Sequence, residues 1–139
     1  MVIPFSGTSN RIGSRVLVAW NARREAARAV SDALPLLRKA AAVTLLVVNP
    51  EKWAISPHGE QPGADIALYL ARHGVTVQVE VADSEDAKVC DVVRARAHKA
   101  GADLIVMGAY GHSRTLELIL GGVTRDMLCN MTVPVFMSH

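Results

Sequence analysis

Five short apolar runs punctuate this chain: RVLVAW (15–20), VTLLVVNP (43–50), VTVQVEVAD (75–83), ADLIVMG (102–108) and VPVFM (133–137). Each is rich in β-branched residues and bounded by turn-forming ones, the signature of a strand with a buried face. The segments between them carry apolar residues at helical spacing, so the order reads β-α-β-α-β-α-β-α-β. Parallel neighbours need a crossover of about a dozen residues, which a helix supplies. Strands this apolar must also be covered on both faces. The pattern therefore predicts an α/β fold: a single-domain, open, doubly wound, five-stranded, mostly parallel sheet with helices on both faces. At 139 residues one domain can bury a core of its own, built from Val, Leu, Ile and Ala because aromatics make up only 4%.

Taken in order, residues 1–14 are turn-forming and non-periodic and read as a loose arm or linker, leaving 15–139 as the domain. Asn21 ends the first strand and is a suitable N-cap for a helix whose apolar face is Ala22, Ala26, Ala29, Val30, Ala33, Leu34 and Leu37. Pro35 should kink that helix or weaken its last turns. Residues 51–61 form a long loop. Pro62 is placed to start a helix that His73-Gly74 ends. The 75–83 run alternates in its middle part, which places it at a sheet edge. Asp83, Ser84, Glu85 and Asp86 favour the start of the next helix, which buries Val89, Cys90, Val93 and Ala97 and ends at Gly101. Thr115 to Cys129 is helix-like and interrupted at Gly121-Gly122, and Pro134 favours an edge position for the last strand.

Several function classes are excluded. A net charge of +2 is too mild to argue for nucleic acid, and no aromatics interleave with the arginine clusters. Neither GxxxxGK[ST] nor GxGxxG occurs. Gly111-His112-Ser113 begins like a nucleophile elbow, but Thr115 stands where the second glycine belongs. The histidines show no liganding pair, so no metal site is expected. Cys90 and Cys129 each lie in an apolar periodic segment, which suits packing in a reducing compartment. With no leader-like N-terminus and no run long enough to span a bilayer, a cytoplasmic protein is the expectation.

The informative pattern is Gly108-x2-Gly111-x9-Gly121-Gly122-Val123-Thr124, directly after ADLIVMG. A strand feeding a glycine loop, with a second glycine patch opening a helix, exposes backbone N–H groups where an anion could sit. The spacing, together with VLVAW-Asn21, LLVVN and VPVFM, resembles the universal stress protein family over about residues 15–139. Strand order 3-2-1-4-5 would make the first and fourth strands neighbours, placing the switch point between Asn21 and Gly108.

The resemblance implies ATP or another adenine nucleotide as ligand, with Mg²⁺ carried by the phosphates, in a stress-linked regulatory switch. It implies that Ala19, Trp20 and Asn21 flank adenine and ribose and that Val48 contacts the adenine. Gly108 and Gly111 would let the loop approach ribose and phosphates, with Met107 and Tyr110 in the same stretch. Gly121, Gly122, Val123 and Thr124 would offer N–H groups, and the Thr124 hydroxyl, to the phosphates. Gly122 stands where the family pattern has Ser or Thr, Asn21 replaces its usual aspartate, and Trp20 brings bulk beside the base position. One hydroxyl bond to a charged group is worth about 1.5–3 kcal/mol, roughly ten- to a hundredfold in affinity. No activated nucleophile or acid–base pair is apparent, so binding is expected, with any ATP hydrolysis slow and incidental. An alternative is a non-nucleotide-binding interaction module of the same fold. The family commonly dimerises through its last strand, which implies a homodimer through Val133, Val135 and Phe136. A third reading makes the chain one half of a tandem protein.

Overall fold

A computed structural model describes residues 1–5, 11–50, 61–109 and 122–139. Five strands, β1 (Arg15–Trp20), β2 (Ala42–Val48), β3 (Gln78–Ala82), β4 (Leu104–Gly108) and β5 (Val135–Ser138), form one sheet in the order β3-β2-β1-β4-β5. All four pairings are parallel. The helices are α1 (Arg24–Leu37), α2 (Ala64–Arg72), α3 (Val89–Lys99) and α4 (Gly122–Cys129). The expected doubly wound α/β sheet of order 3-2-1-4-5 is thus the observed one.

Strand period sorts the core into two layers. Val16, Val18 and Trp20 of β1, Val43, Leu45 and Val47 of β2, and Leu104 and Val106 of β4 pack with α1 and α2. The alternate residues Leu17, Leu46, Val48, Ile105 and Met107 pack with Cys90, Val93 and Ala97 of α3 and Met127 of α4. Leu45 and Leu46 are both fully buried, one in each layer, which only a strand covered on both sides allows.

The element ends differ from expectation for local reasons. The cap position of α1 falls on Arg23, not Asn21. Asn21 instead accepts the Arg23 N–H through Oδ1 at 3.2 Å, because Ala22, at φ 56°, turns the chain between them. Pro35 is accommodated within α1, and the exit tightens, with the Lys39 N–H donating to the Leu36 carbonyl. β3 starts at Gln78, not 75, because Val75 belongs to the exit of α2. Its N–H donates to the Leu70 carbonyl while the Gly74 N–H, at φ 78°, donates to that of Ala71. The last strand starts at Val135, with the Pro134 carbonyl still accepting from the Ile105 N–H; as expected it is an edge strand.

Residues 13–15 are firmly held at the amino ends of the strands. The Asp103 carboxylate accepts from the N–H groups of Gly13 (3.0 Å), Ser14 (3.1 Å) and Arg15 (3.0 Å). Further upstream, Val2 forms an isolated antiparallel bridge with Val135.

Candidate functional site

Strand order reverses beside β1, whose neighbours are β2 and β4, so the crevice beyond the carboxyl ends of β1 and β4 is where an open α/β sheet accepts a ligand. Ala19 and Met107 are register partners across that junction. Val48 ends β2 on the same face, toward α3 and α4, and all three belong to that layer's apolar cluster. Trp20 does not join them. Its indole is 8% exposed and packs in the opposite layer with α1, so only its backbone remains at the junction. Asn21 is exposed at the rim with its Oδ1 engaged by Arg23.

The glycines divide by role. A Cβ on Gly108 would lie 2.6 Å from the Ala26 nitrogen and 2.7 Å from the Glu25 carbonyl carbon, so this glycine lets the start of α1 sit against the end of β4. Around Gly122, which is exposed, no described residue lies within 4 Å of a built Cβ. Val123 is exposed and Thr124 is buried. Tyr110, Gly111 and Gly121 lie outside the described residues, as do His112 and the loop from 51 to 60.

Two polar groups that the sequence left in other roles sit at the same rim. Asn49, next to last in the second apolar run, and Ser84, read as part of a helix start, are both buried. Asn49 Nδ2 donates to Ser84 Oγ at 2.7 Å, the Ser84 N–H donates to Asn49 Oδ1 at 2.8 Å, and the Asn49 N–H donates to the Ala82 carbonyl at 2.9 Å. This clamp fixes the exit of β2 against that of β3, directly after Val48. An asparagine closing an apolar strand was the available signal, since Asn tolerates the left-handed region it adopts here at φ 51°.

Backbone strain gathers at this rim. Among the described residues, those other than glycine with positive φ are Ala22, Asn49 and Glu85, each just after the carboxyl end of β1, β2 or β3. Such conformations cost about 1–2 kcal/mol for an L residue and tend to collect at functional sites.

Charge at the rim is carried partly by Lys88, before α3, whose Nζ donates to Asp126 Oδ2 of α4 at 2.9 Å. That hydrogen bond, reinforced by charge, holds the Asp126 carboxyl below its ordinary range and the Lys88 ammonium above its own. The buried Cys90 thiol is pushed up, first by desolvation and then by Asp91 and Asp126. Among the described residues no group of three or more His, Cys, Asp or Glu could hold a metal ion. None of their helices is long and apolar enough to cross a membrane.

The model of the universal stress protein family matches residues 14–139. Universal stress protein Slr1230 of Synechocystis is 33% identical over 93 residues, covering 67% of this chain and 30% of that protein. The chain therefore spans under a third of that relative's length. Among solved structures, the universal stress protein UspA of Lactobacillus plantarum superposes with a TM-score of 0.73 at 16% identity, covering 94% of this chain and all of that one. A universal stress protein in complex with cAMP superposes with a TM-score of 0.65 at 17% identity, covering 91% and 96%. Likeness at these identities establishes the fold.

Proposed function

Because the chain belongs to the universal stress protein family, we propose that it binds an adenine nucleotide, ATP or a relative of it, as a stress-linked regulatory switch in the cytoplasm. The observation that carries this reading is the junction of β1 and β4 at the reversal of strand order, with Ala19 facing Met107 in register and Val48 on the same face. The base and ribose would rest against Ala19, Asn21, Val48 and Met107. The phosphates would lie toward Gly122, Val123 and Thr124, where backbone N–H groups open α4. The exposure of Gly122, with no described residue within 4 Å of a built Cβ, supports that placement. Tyr110, Gly111 and Gly121 complete the proposed set from the sequence pattern. Mg²⁺ would arrive on the phosphates. This chain's residues bind and orient the nucleotide, and turnover is no part of the reading.

The experiment is an ion-exchange analysis of nucleotide extracted from the purified protein, followed by melting with and without Mg-ATP and cAMP. An adenine nucleotide in the extract, or a rise in Tm, is expected. An empty extract with no shift at millimolar nucleotide overturns the reading. The Gly122→Ser substitution adds one hydroxyl at an exposed position, and roughly ten- to a hundredfold tighter binding of ATP is expected. Unchanged affinity counts against the phosphate placement.

Pairing of two copies through β5, with Val133, Val135 and Phe136 at the seam, is a second reading, favoured by the position of β5 at the sheet edge. An edge strand presents backbone groups that a second strand can match. Sedimentation velocity across a concentration series tests it.

A further inference from the structure

The outer edge of β5 is already in use. The Ile105 N–H donates to the Pro134 carbonyl at 3.0 Å and the Ala109 N–H to that of Ser138 at 2.8 Å, so the even-numbered residues face β4. Val135 therefore turns its own N–H and C=O outward. Both are taken by Val2: the Val2 N–H donates to the Val135 carbonyl at 2.8 Å, and the Val135 N–H donates to that of Val2 at 2.9 Å. Continued in this antiparallel register, Pro4 would come opposite Val133, and proline has no N–H to extend the ladder.

The attachment is by backbone and not by burial. Met1 and Ile3 are 55% and 60% exposed, and Phe5 is fully exposed. Two neutral hydrogen bonds with so little apolar burial make a weak attachment. The other end of the segment is held more strongly, through the three N–H groups that Asp103 accepts. A strand tethered this closely meets its edge at an effective concentration on the order of millimolar. A free second copy at micromolar concentration cannot match that.

We propose that the N-terminal segment around Val2 is a displaceable cap that holds the chain monomeric by occupying the backbone groups of Val135. The partner it excludes is a second copy of this chain, whose own β5 would pair antiparallel about a two-fold axis through the same edge. The inference rests on the pairing reading above and adds what controls it.

The test compares the parent with Val2→Pro, which removes one of the two donors, and with a variant lacking residues 2–5. Mass is followed by sedimentation velocity from micromolar to millimolar, with hydrogen exchange at the Val135 amide read at the dilute end. The parent is expected to be monomeric at micromolar concentration with a protected Val135 amide. Both variants should dimerise at concentrations on the order of tenfold lower and should exchange that amide faster when dilute. Variants that dimerise no more tightly than the parent overturn the cap while leaving the pairing reading intact. If no form dimerises even at millimolar concentration, cap and pairing reading fall together.

Discussion

A methyl group on Gly108 would have to enter the backbone of α1, between Ala26 and Glu25, at a separation real Cβ atoms do not adopt. Backbone cannot swing aside as a flexible side chain does, so Gly108→Ala should lose about 1–3 kcal/mol of stability with no nucleotide present. A urea titration of the purified variant measures this, and a midpoint equal to the parent's would show that α1 does not sit this close. Gly122 offers the contrast, exposed and with no such backbone neighbour among the described residues. The two glycines belong to one sequence pattern, yet one answers to helix–sheet packing and the other has no described neighbour within 4 Å of a built Cβ. Spacing alone cannot separate these roles, because a ligand and a helix backbone require the same missing Cβ. Trp20 was misleading in the same way: its place at a strand end was legible, but its layer follows from the parity of its position in β1.

At the scale of elements, the approach to α3 shows why helix starts are read late or early. Asp83, Ser84, Glu85 and Asp86 are all favourable at a helix start, yet α3 begins at Val89. Asp83 Oδ1 accepts the Glu85 N–H at 2.8 Å, Ser84 is held by Asn49, and Glu85 has φ 48°, so the side chains that favour a cap close a turn of their own instead. The β3 strand and its edge position follow from local alternation, whereas the Lys88 link to α4 depends on a partner distant in sequence that no local pattern announces. That link has a pH signature. Asp126 has its folded carboxyl pKa depressed, so its contribution is present above the ordinary carboxylate value and is lost as pH falls through the folded value. Lys88 and Cys90 have raised values, so their contributions hold below their ordinary values and fade as pH rises through the folded ones. Urea midpoints measured across pH should show an acid decline that is shallower in Asp126→Asn. Parallel acid limbs in the two proteins would remove Asp126 from the account.

For the whole molecule, element order and a sheet covered on both faces were legible, because two-residue and helical periodicities are local properties of the chain, while the sheet order came with the family resemblance. The ties that complete it were not. Asp103 meets Gly13 across 90 residues, Ser138 Oγ donates to Asp32 Oδ2 across 106, and Val2 reaches Val135 across most of the chain. The first fourteen residues read as a loose arm, and three of their positions prove to be fastened, Val2 to a strand edge and Gly13 and Ser14 to a carboxylate. The division into layers also has an optical consequence. The chain has two tryptophans, Trp20 and Trp53, and Trp20 is buried beneath α1. With Trp53→Phe, the remaining indole should emit at short wavelength in the native protein and move to long wavelength on denaturation. Long-wavelength emission from the native variant would contradict that burial. The single indole is then a dye supplied by the chain itself, reporting the α1 side of the sheet while the other side is free to be titrated.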